Sequence, residues 1–168
     1  ASPNREAGRS AEVDIAGARI AVVDRVGNPA LAIEPDVLQI EGAALSRLNG
    51  SVLLGGKRTD TEDGIRITTS ATVVQVANSS ASAVTLPELI LAATDRIDVA
   101  AGSVLTGTGT AGGTSPEVIQ AESSGALMRL SKGAQTRVDR GTAVSDAAGD
   151  VRIAQGATLT ADTALLID

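Results

Sequence analysis

The sequence predicts an all-β chain that coils into a parallel β-solenoid of about six to seven coils. Three observations support this prediction. Short alternating segments recur along the whole chain, one degenerate unit repeats at coil-sized intervals, and aromatic residues are absent. A solenoid repeat can bury its apolar face only against its neighbours, so such chains repeat with a period of about 20–50 residues.

The candidate strands alternate apolar and polar residues over about four to eight positions, as half-buried strands do. They are rich in Val, Ile and Thr, which favour the extended conformation, and turn-forming residues separate them. Helix-period patterns are scarce. In chain order the candidate strands are VDIAGARIAV, LAIEP, VLQIEGA, SVLLGG, IRITTS, TVVQVA, ELILAA, RIDVAAGSVL, LMRLSKG, VRIAQGATL and ALLID.

The repeating unit has two apolar residues around a polar one, followed by a small turn residue. The turn residues lie 23 to 32 positions apart, at Gly17, Gly42, Ser70, Gly102, Gly133 and Gly156. In a solenoid, the polar member of each unit points outward. The pattern therefore predicts one shared outward slot for Asp14, Gln39, Arg66, Asp98 and Arg152.

The composition of the 168 residues excludes several classes of function. The chain has no Cys and no His, which rules out disulfides, zinc–thiolate sites and a histidine general base. A core without Phe, Tyr or Trp must be thin and aliphatic. A net charge of −6 opposes nucleic-acid binding. We find neither a membrane-length apolar run nor a signal peptide.

The domain prediction is a disordered segment over residues 1–10 and a single domain over residues 11–168, a fragment of a longer rod. Three small, polar, turn-prone stretches interrupt the repeat and predict loops: 55–64, 77–83 and 107–115. The excursion that begins in VLTGTGTAGG, within 107–115, is where a partner would most easily bind.

Five segments carry a succession of motifs: SVLLGGKR (51–58), TVVQVANSS (72–80), LPELILAATDRIDVAAGSVL (86–105), GALMRLSKGAQTRVDRG (125–141) and GDVRIAQGATLTADTALLID (149–168). Each motif alone carries little information, but their order is more specific. Over residues 45–168 this succession resembles the filamentous haemagglutinin-family exoproteins.

The resemblance implies a right-handed parallel β-helix on the surface of a Gram-negative bacterium, or secreted from it, and exported by two-partner secretion. Nothing in the chain matches the N-terminal secretion domain of the family, so the resemblance points to an interior stretch of the rod. The family has no catalytic motif to transfer to this sequence.

The stretch VLTGTGTAGG contains a GxGxxG pattern at Gly107, Gly109 and Gly112. A dinucleotide site needs a strand, a tight turn and a helix that begins at the pyrophosphate, with an acidic residue about 20 positions later. Here Pro116 follows closely, and no acid lies near Leu127. We interpret the glycines as turn residues.

Acidic pairs raise the possibility of Ca²⁺ ligation, which takes six to eight oxygen ligands. None fits an EF-hand or the glycine–aspartate nonapeptide, so solvated turns are the simpler interpretation. The candidates are Asp95 with Asp98, Asp60 with Glu62 and Asp63, and Asp146 with Asp150. The sequence therefore assigns no catalytic, cofactor-binding or metal-binding residue and no cofactor.

The favoured function is a structural shaft segment of a secreted or cell-surface filamentous adhesin, acting through surface display and protein–protein contacts rather than catalysis. A carbohydrate-active or carbohydrate-binding β-helix is one alternative, in which Asp14, Asp98, Arg66 and Arg152 would form a carboxylate–arginine row. The absence of an aromatic platform for sugars opposes it. A polymerising scaffold that assembles end to end, as a homo-oligomer or filament, is the other alternative. Irregular Thr positions oppose ice binding.

Overall fold

The computed structural model describes residues 11–27, 36–109, 116–141 and 148–168. The predicted disordered segment 1–10 lies outside these ranges. The described residues form a short helix, α1 (Gly42–Ser46), a 3₁₀ turn (Ser80–Ser82) and many strands. The strands are β1 (Glu12–Ile15), β2 (Arg19–Val23), β3 (Leu38–Glu41), β4 (Ser51–Leu54), β5 (Gly56–Asp60), β6 (Gly64–Thr69), β7 (Val73–Ala77), β8 (Val84–Leu86), β9 (Glu88–Ala93), β10 (Arg96–Val99), β11 (Val104–Gly107), β12 (Val118–Ala121), β13 (Ala126–Ser131), β14 (Arg137–Asp139), β15 (Asp150–Ile153), β16 (Thr158–Ala161) and β17 (Ala164–Ile167).

These strands build four sheets. The central sheet has the order β1-β4-β9-β13-β17, and the second sheet has the order β3-β2-β7-β10-β15. The third sheet is β8-β11-β16, and the fourth is β5-β6-β12-β14. Each sheet joins strands that are far apart in the chain, and one edge strand of every sheet comes from residues 137–167.

The central sheet separates two aliphatic cores. Its one face contributes Val52, Leu89 and Met128 to the main core, which the second and third sheets enclose. Its other face contributes Leu53 and Ile90 to a minor core under the fourth sheet. Successive residues of a strand point to opposite faces, so strands buried on both sides read as continuous apolar runs such as ELILAA.

The predicted single right-handed parallel β-helix is wrong. The chain is mostly strands, and pairs such as β7 with β10 are parallel, but the four sheets are mixed or parallel and the described residues form no closed solenoid. Strand β13 runs antiparallel to both β9 and β17, and β5 runs antiparallel to β6. Alternation has the same period of two in either direction, so it could not reveal these reversals.

A close backbone approach accompanies the reversal before β13. A Cβ atom at Gly125 would lie 2.2 Å from the carbonyl oxygen of Ala93, at the end of β9. Only glycine fits there without a shift of the backbone. Glycine at this position therefore allows β13 to begin close beside the end of β9, with Ala126 paired with Ala93.

The predicted loops have different structures. Residues 55–64 contain β5, which forms a hairpin with β6 rather than an open loop. Residues 77–83 hold the 3₁₀ turn, whose backbone Ser79 N–H and hydroxyl both donate to the Asp24 carboxylate at 2.6 and 2.7 Å. Of 107–115, only Gly107, Thr108 and Gly109 lie within the described residues.

Helix α1 covers the free edge of β8. The backbone N–H of Thr85 in β8 donates to Ser46 Oγ at 2.9 Å, and the same oxygen lies 3.0 Å from the carbonyl oxygen of Ala83. At the other end of the helix, the backbone N–H of Ala43 donates to Ser82 Oγ at 2.8 Å. Side-chain oxygens thus replace the missing neighbouring strand, which protects this edge from pairing with another chain.

We expect Ser46→Ala to lower the free energy of unfolding by about 0.5–1.5 kcal/mol, because it removes the side-chain oxygen that links α1 to Thr85 and Ala83 at the edge of β8. Urea unfolding followed by far-UV circular dichroism measures the change. The control is Ser80→Ala on the exposed side of the 3₁₀ turn, which should change the free energy by less than about 0.5 kcal/mol. Equal effects of the two substitutions would contradict this role of Ser46.

Candidate functional site

A continuous row of polar side chains joins four strands of the central sheet, on the face that packs on the minor core, to β5 of the fourth sheet. We call Asp14, Arg58, Ser51, Glu88 and Arg129 the polar row. They come from β1, β5, β4, β9 and β13 respectively, so each strand contributes one member. The parallel register places Ser51 directly beside Glu88.

Asp14 and Arg58 form one end of the polar row. The backbone N–H and the Nε of Arg58 donate to the two carboxylate oxygens of Asp14, at 2.8 and 2.6 Å. Its Nη1 donates to Ser51 Oγ at 2.7 Å. The Arg58 side chain is 6% exposed, so these charge-assisted bonds are largely shielded from water. They tie the β5 hairpin to strands β1 and β4.

Arg129 forms the other end and is fully buried. Its Nε and Nη2 each lie 2.7 Å from Glu88 Oε2, and its remaining donors reach Ser131 Oγ and the carbonyl oxygen of Ala134 at 3.1 and 3.0 Å. The other oxygen of Glu88 accepts from Ser51 Oγ at 2.5 Å. Full pairing of this kind is what makes a buried charge tolerable.

The polar row is a set of ion pairs and hydrogen bonds that joins neighbouring strands. Its charges alternate from Asp14 to Arg58 to Glu88 to Arg129 and sum to zero. Both oxygens of each carboxylate accept hydrogen bonds, which leaves neither carboxylate free as a general base. The arrangement links four strands of the central sheet to one another and to β5 of the fourth sheet.

Neither Glu88 nor Arg129 belongs to a site predicted from the sequence. Their sequence context is nonetheless informative, since each is the only charged residue in a mostly apolar strand, ELILAA and ALMRLS. A charge embedded in a fully buried strand must find a partner inside the protein. Two such strands of opposite sign predict an ion pair between them.

The predicted outward slot does not form one row. Asp98 and Arg152 are register neighbours in the second sheet, but Asp14 belongs to the central sheet and Arg66 to the fourth. Within the second sheet, Gln39 lies on β3, at the opposite edge from β15. A repeat assigned to one solenoid face is therefore distributed over three sheets. The carboxylate–arginine row that a carbohydrate-active site would need is not assembled.

The glycines of VLTGTGTAGG serve close packing and turn geometry where they are described. A Cβ atom at Gly107 would lie 2.7 Å from backbone atoms of Leu130 and Ser131, and Gly109 has φ +114°. The close approach at Gly107 and the positive φ at Gly109 each favour glycine for structural reasons alone, and neither depends on a bound phosphate. Gly112 lies outside the described residues.

Asp95, Asp98 and Asp150 pair with arginines, whereas Asp60, Glu62 and Asp63 form no ion pair with another described residue. Arg96 forms ion pairs with both Asp95 and Asp98, and Asp150 pairs with Arg152 at 3.0 Å. Asp146 lies outside the described ranges. Within those ranges, no group of three or more acidic residues is placed to hold a metal ion.

Exposed apolar side chains lie at the end of the main core where, among the described residues, β15, β16 and β17 are edge strands. Ile153, Leu165 and Ile167 are 41%, 48% and 47% exposed there. Their register partners are Val99, Leu130 and Met128, which are all buried in the main core. We call these three exposed residues and the outer edges of β15, β16 and β17 the open end.

Asp162 lies in the turn between β16 and β17, next to the open end. The Thr108 hydroxyl donates to its carboxylate at 2.6 Å, and Lys132 Nζ lies 3.4 Å from the same oxygen. The Thr108 hydrogen bond, with a smaller contribution from Lys132, lowers the pKa of Asp162 below its ordinary value. This turn is thus held to the strands that precede it.

Comparison of the chain with protein-family models, with curated proteins and with solved structures finds no match. The likeness to haemagglutinin-family segments therefore depends on the quoted motifs alone. Among the described residues, no helix is long and apolar enough to cross a membrane.

Removal of the Arg129 side-chain charge should destabilise the folded protein. We expect Arg129→Met to lower the free energy of unfolding by about 3–5 kcal/mol, because it leaves the Glu88 carboxylate inside the protein without its cationic partner. The double variant Arg129→Met, Glu88→Gln should be more stable than the single one, since no unpaired charge remains. Urea unfolding gives both values. Arg137→Met, at a position 69% exposed, is the control and should change stability by less than about 0.5 kcal/mol. If the losses in the free energy of unfolding were additive in the double variant, the stabilising role of the Arg129–Glu88 pair would be refuted.

The Asp162 carboxyl should titrate below the ordinary range of aspartates, and Thr108→Val should raise its pKa. A lowered folded-state pKa contributes stability that is present above the unfolded-state pKa and disappears as the pH falls through the folded-state pKa. Thr108→Val should weaken this acid-side dependence. Carbon-13 NMR titration of the carboxyl group measures the pKa. Lys132→Gln should raise the pKa of Asp162 by less than Thr108→Val does. A larger rise would mean that Lys132, and not the Thr108 hydroxyl, is the main cause of the lowered pKa.

Proposed function

We propose that this chain is a non-catalytic structural segment of a secreted or cell-surface protein of a Gram-negative bacterium, acting through surface display and contacts with other proteins. The motif succession over residues 45–168 supports the placement among filamentous, haemagglutinin-like adhesins exported by two-partner secretion. The strand-rich architecture is compatible with a segment that bears load, since its sheets join distant parts of the chain.

The observation that carries the proposal is the open end. Edge strands with free backbone groups pair readily with other chains, and soluble proteins ordinarily cover or charge them. Here three large apolar side chains lie beside those edges, at the end of the main core. An exposed apolar group next to free strand edges is typical of a protein-contact surface.

The buried charges favour the same class of function. The charges of the polar row are paired within the protein, and Asp14, Asp98, Arg66 and Arg152, which a carbohydrate-active site would need in one row, lie in three sheets. The polar groups therefore hold strands together, and the contact surface is left as the feature through which the chain would act.

Surface exposure is the property to test. Antibodies against this chain should label intact cells of the source bacterium, and protease added to intact cells should remove the signal. A periplasmic and a cytosolic protein serve as controls that must stay protected. Detection only after cell lysis, in the cytosolic fraction, would overturn the proposal.

A further inference from the structure

The edge strand β15 has opposite charges on either side of a central valine. Asp150 and Arg152 lie on one face with 64% and 63% of their side chains exposed, and Val151 packs against the main core on the other face. Reversing the strand direction exchanges the two charges. Two antiparallel copies centred on Val151 would therefore place each Asp150 opposite an Arg152 of the other copy.

The backbone of β15 permits this pairing. The N–H groups of Asp150 and Ala154 donate to Asp95 and Val99 on the β10 side, at 2.8 and 2.9 Å. Successive residues of a strand direct their backbone groups to opposite edges, so Val151 directs its N–H and C=O to the open edge. In an antiparallel pair centred on Val151, these groups would exchange two hydrogen bonds between the copies.

The second sheet already uses the same charge pattern internally. In the parallel register of β10 and β15, Arg96 lies beside Asp150 and Asp98 lies beside Arg152. Each position of one sign thus faces the opposite sign on the next strand. A second β15 in the antiparallel register would continue this alternation by one more strand, with opposite charges facing again.

We propose that the open end binds a second copy of this chain, and that the two β15 strands pair antiparallel about Val151 in a two-fold dimer. The dimer covers Ile153, Leu165 and Ile167 at the ends of both main cores. Apolar burial supplies the attraction, and the Asp150–Arg152 contacts determine the register. The interface is isologous and closes after two copies.

Continuous head-to-tail stacking is disfavoured by the opposite end of the molecule. Helix α1 lies over the free edge of β8, where the third sheet would have to accept β16 of the next copy. At that end, the edge strand β3 has a single charged residue, Glu41, and offers no match to the charge pair of β15. The geometry thus favours a closed dimer over a filament.

This inference deepens the proposed function by naming the partner of the open end. The two can fail separately. A chain found on the cell surface that stays monomeric would contradict the dimer alone. A dimer formed by a chain confined to the cytosol would contradict the proposed function alone.

Sedimentation equilibrium of the unaltered chain is the first test, recorded with interference optics because the chain has no Trp, Tyr or Phe. We expect a monomer–dimer equilibrium without larger species. Arg152→Glu places like charges opposite each other twice and should weaken dimerisation by about tenfold or more. A monomer at all concentrations, or open-ended association, would overturn the proposal.

The same charge pattern occurs on a second edge strand and provides the matched control. Strand β14 places Arg137 and Asp139 on either side of Val138, but it belongs to the fourth sheet and not to the open end. Arg137→Glu should leave dimerisation unchanged. Far-UV circular dichroism checks that each variant remains folded. Loss of the dimer in Arg137→Glu but not in Arg152→Glu would assign the contact to β14 and refute the proposal.

Disulfide trapping tests the register independently of affinity. Directly opposite residues in a non-hydrogen-bonded antiparallel pair have Cα atoms about 4.5 Å apart, and diagonal neighbours are about 7–8 Å apart. Asp150→Cys and Arg152→Cys should therefore cross-link when mixed and oxidised, while each protein alone should not. A mixture of Arg137→Cys and Asp139→Cys should give no cross-link. Failure of the first mixture, or cross-linking by the second alone, contradicts the register.

Discussion

The ion pair between Arg129 and Glu88 is the interaction on which the arrangement of the central sheet depends. A guanidinium with no exposure to water is tolerable only if every nearby acceptor is in position. Antiparallel pairing of β13 with β9 places Ser131 opposite Glu88 and Arg129 two residues further along the same face. In this register the guanidinium reaches both Ser131 and Glu88, and the row continues through Ser51 to Arg58. One buried charge thus links the direction of β13 to the position of the β5 hairpin.

The sequence could predict strands, but not their directions or their assignment to sheets. Alternation around Ile97 and Val99 correctly indicates a strand with one buried face, because side-chain periodicity is a local property. Strand direction depends on turns such as the one at Gly125, whose packing against Ala93 is visible only in the folded chain. Residues 55–64 resembled a loop because GKRTD is polar, yet β5 forms there by pairing with β6.

The site was harder to predict than the strands. Glu88 and Arg129 could have been identified as lone charges within apolar strands, and their opposite signs suggested a pair. The contribution of Arg58 could not have been identified from the sequence, because a polar segment gives no indication that it folds back over Asp14. The shared outward slot failed for the reason that the solenoid failed. Equal spacing in sequence places residues in one row only if every coil has the same path, and here Asp14, Asp98 and Arg66 belong to different sheets.

The charge distribution decides which surface can meet another copy. A net charge of −6 on each chain makes two copies repel at distances up to the Debye length, about 8 Å at physiological ionic strength. Contact must therefore occur where charge is balanced locally and apolar area is available. The open end has both features, since Asp150 and Arg152 cancel each other beside Ile153. Moderate salt screens the long-range repulsion more than the short-range attraction within a partly desolvated strand pair. Association through this end should therefore strengthen as salt rises from low concentration, whereas association driven by complementary net charges would weaken.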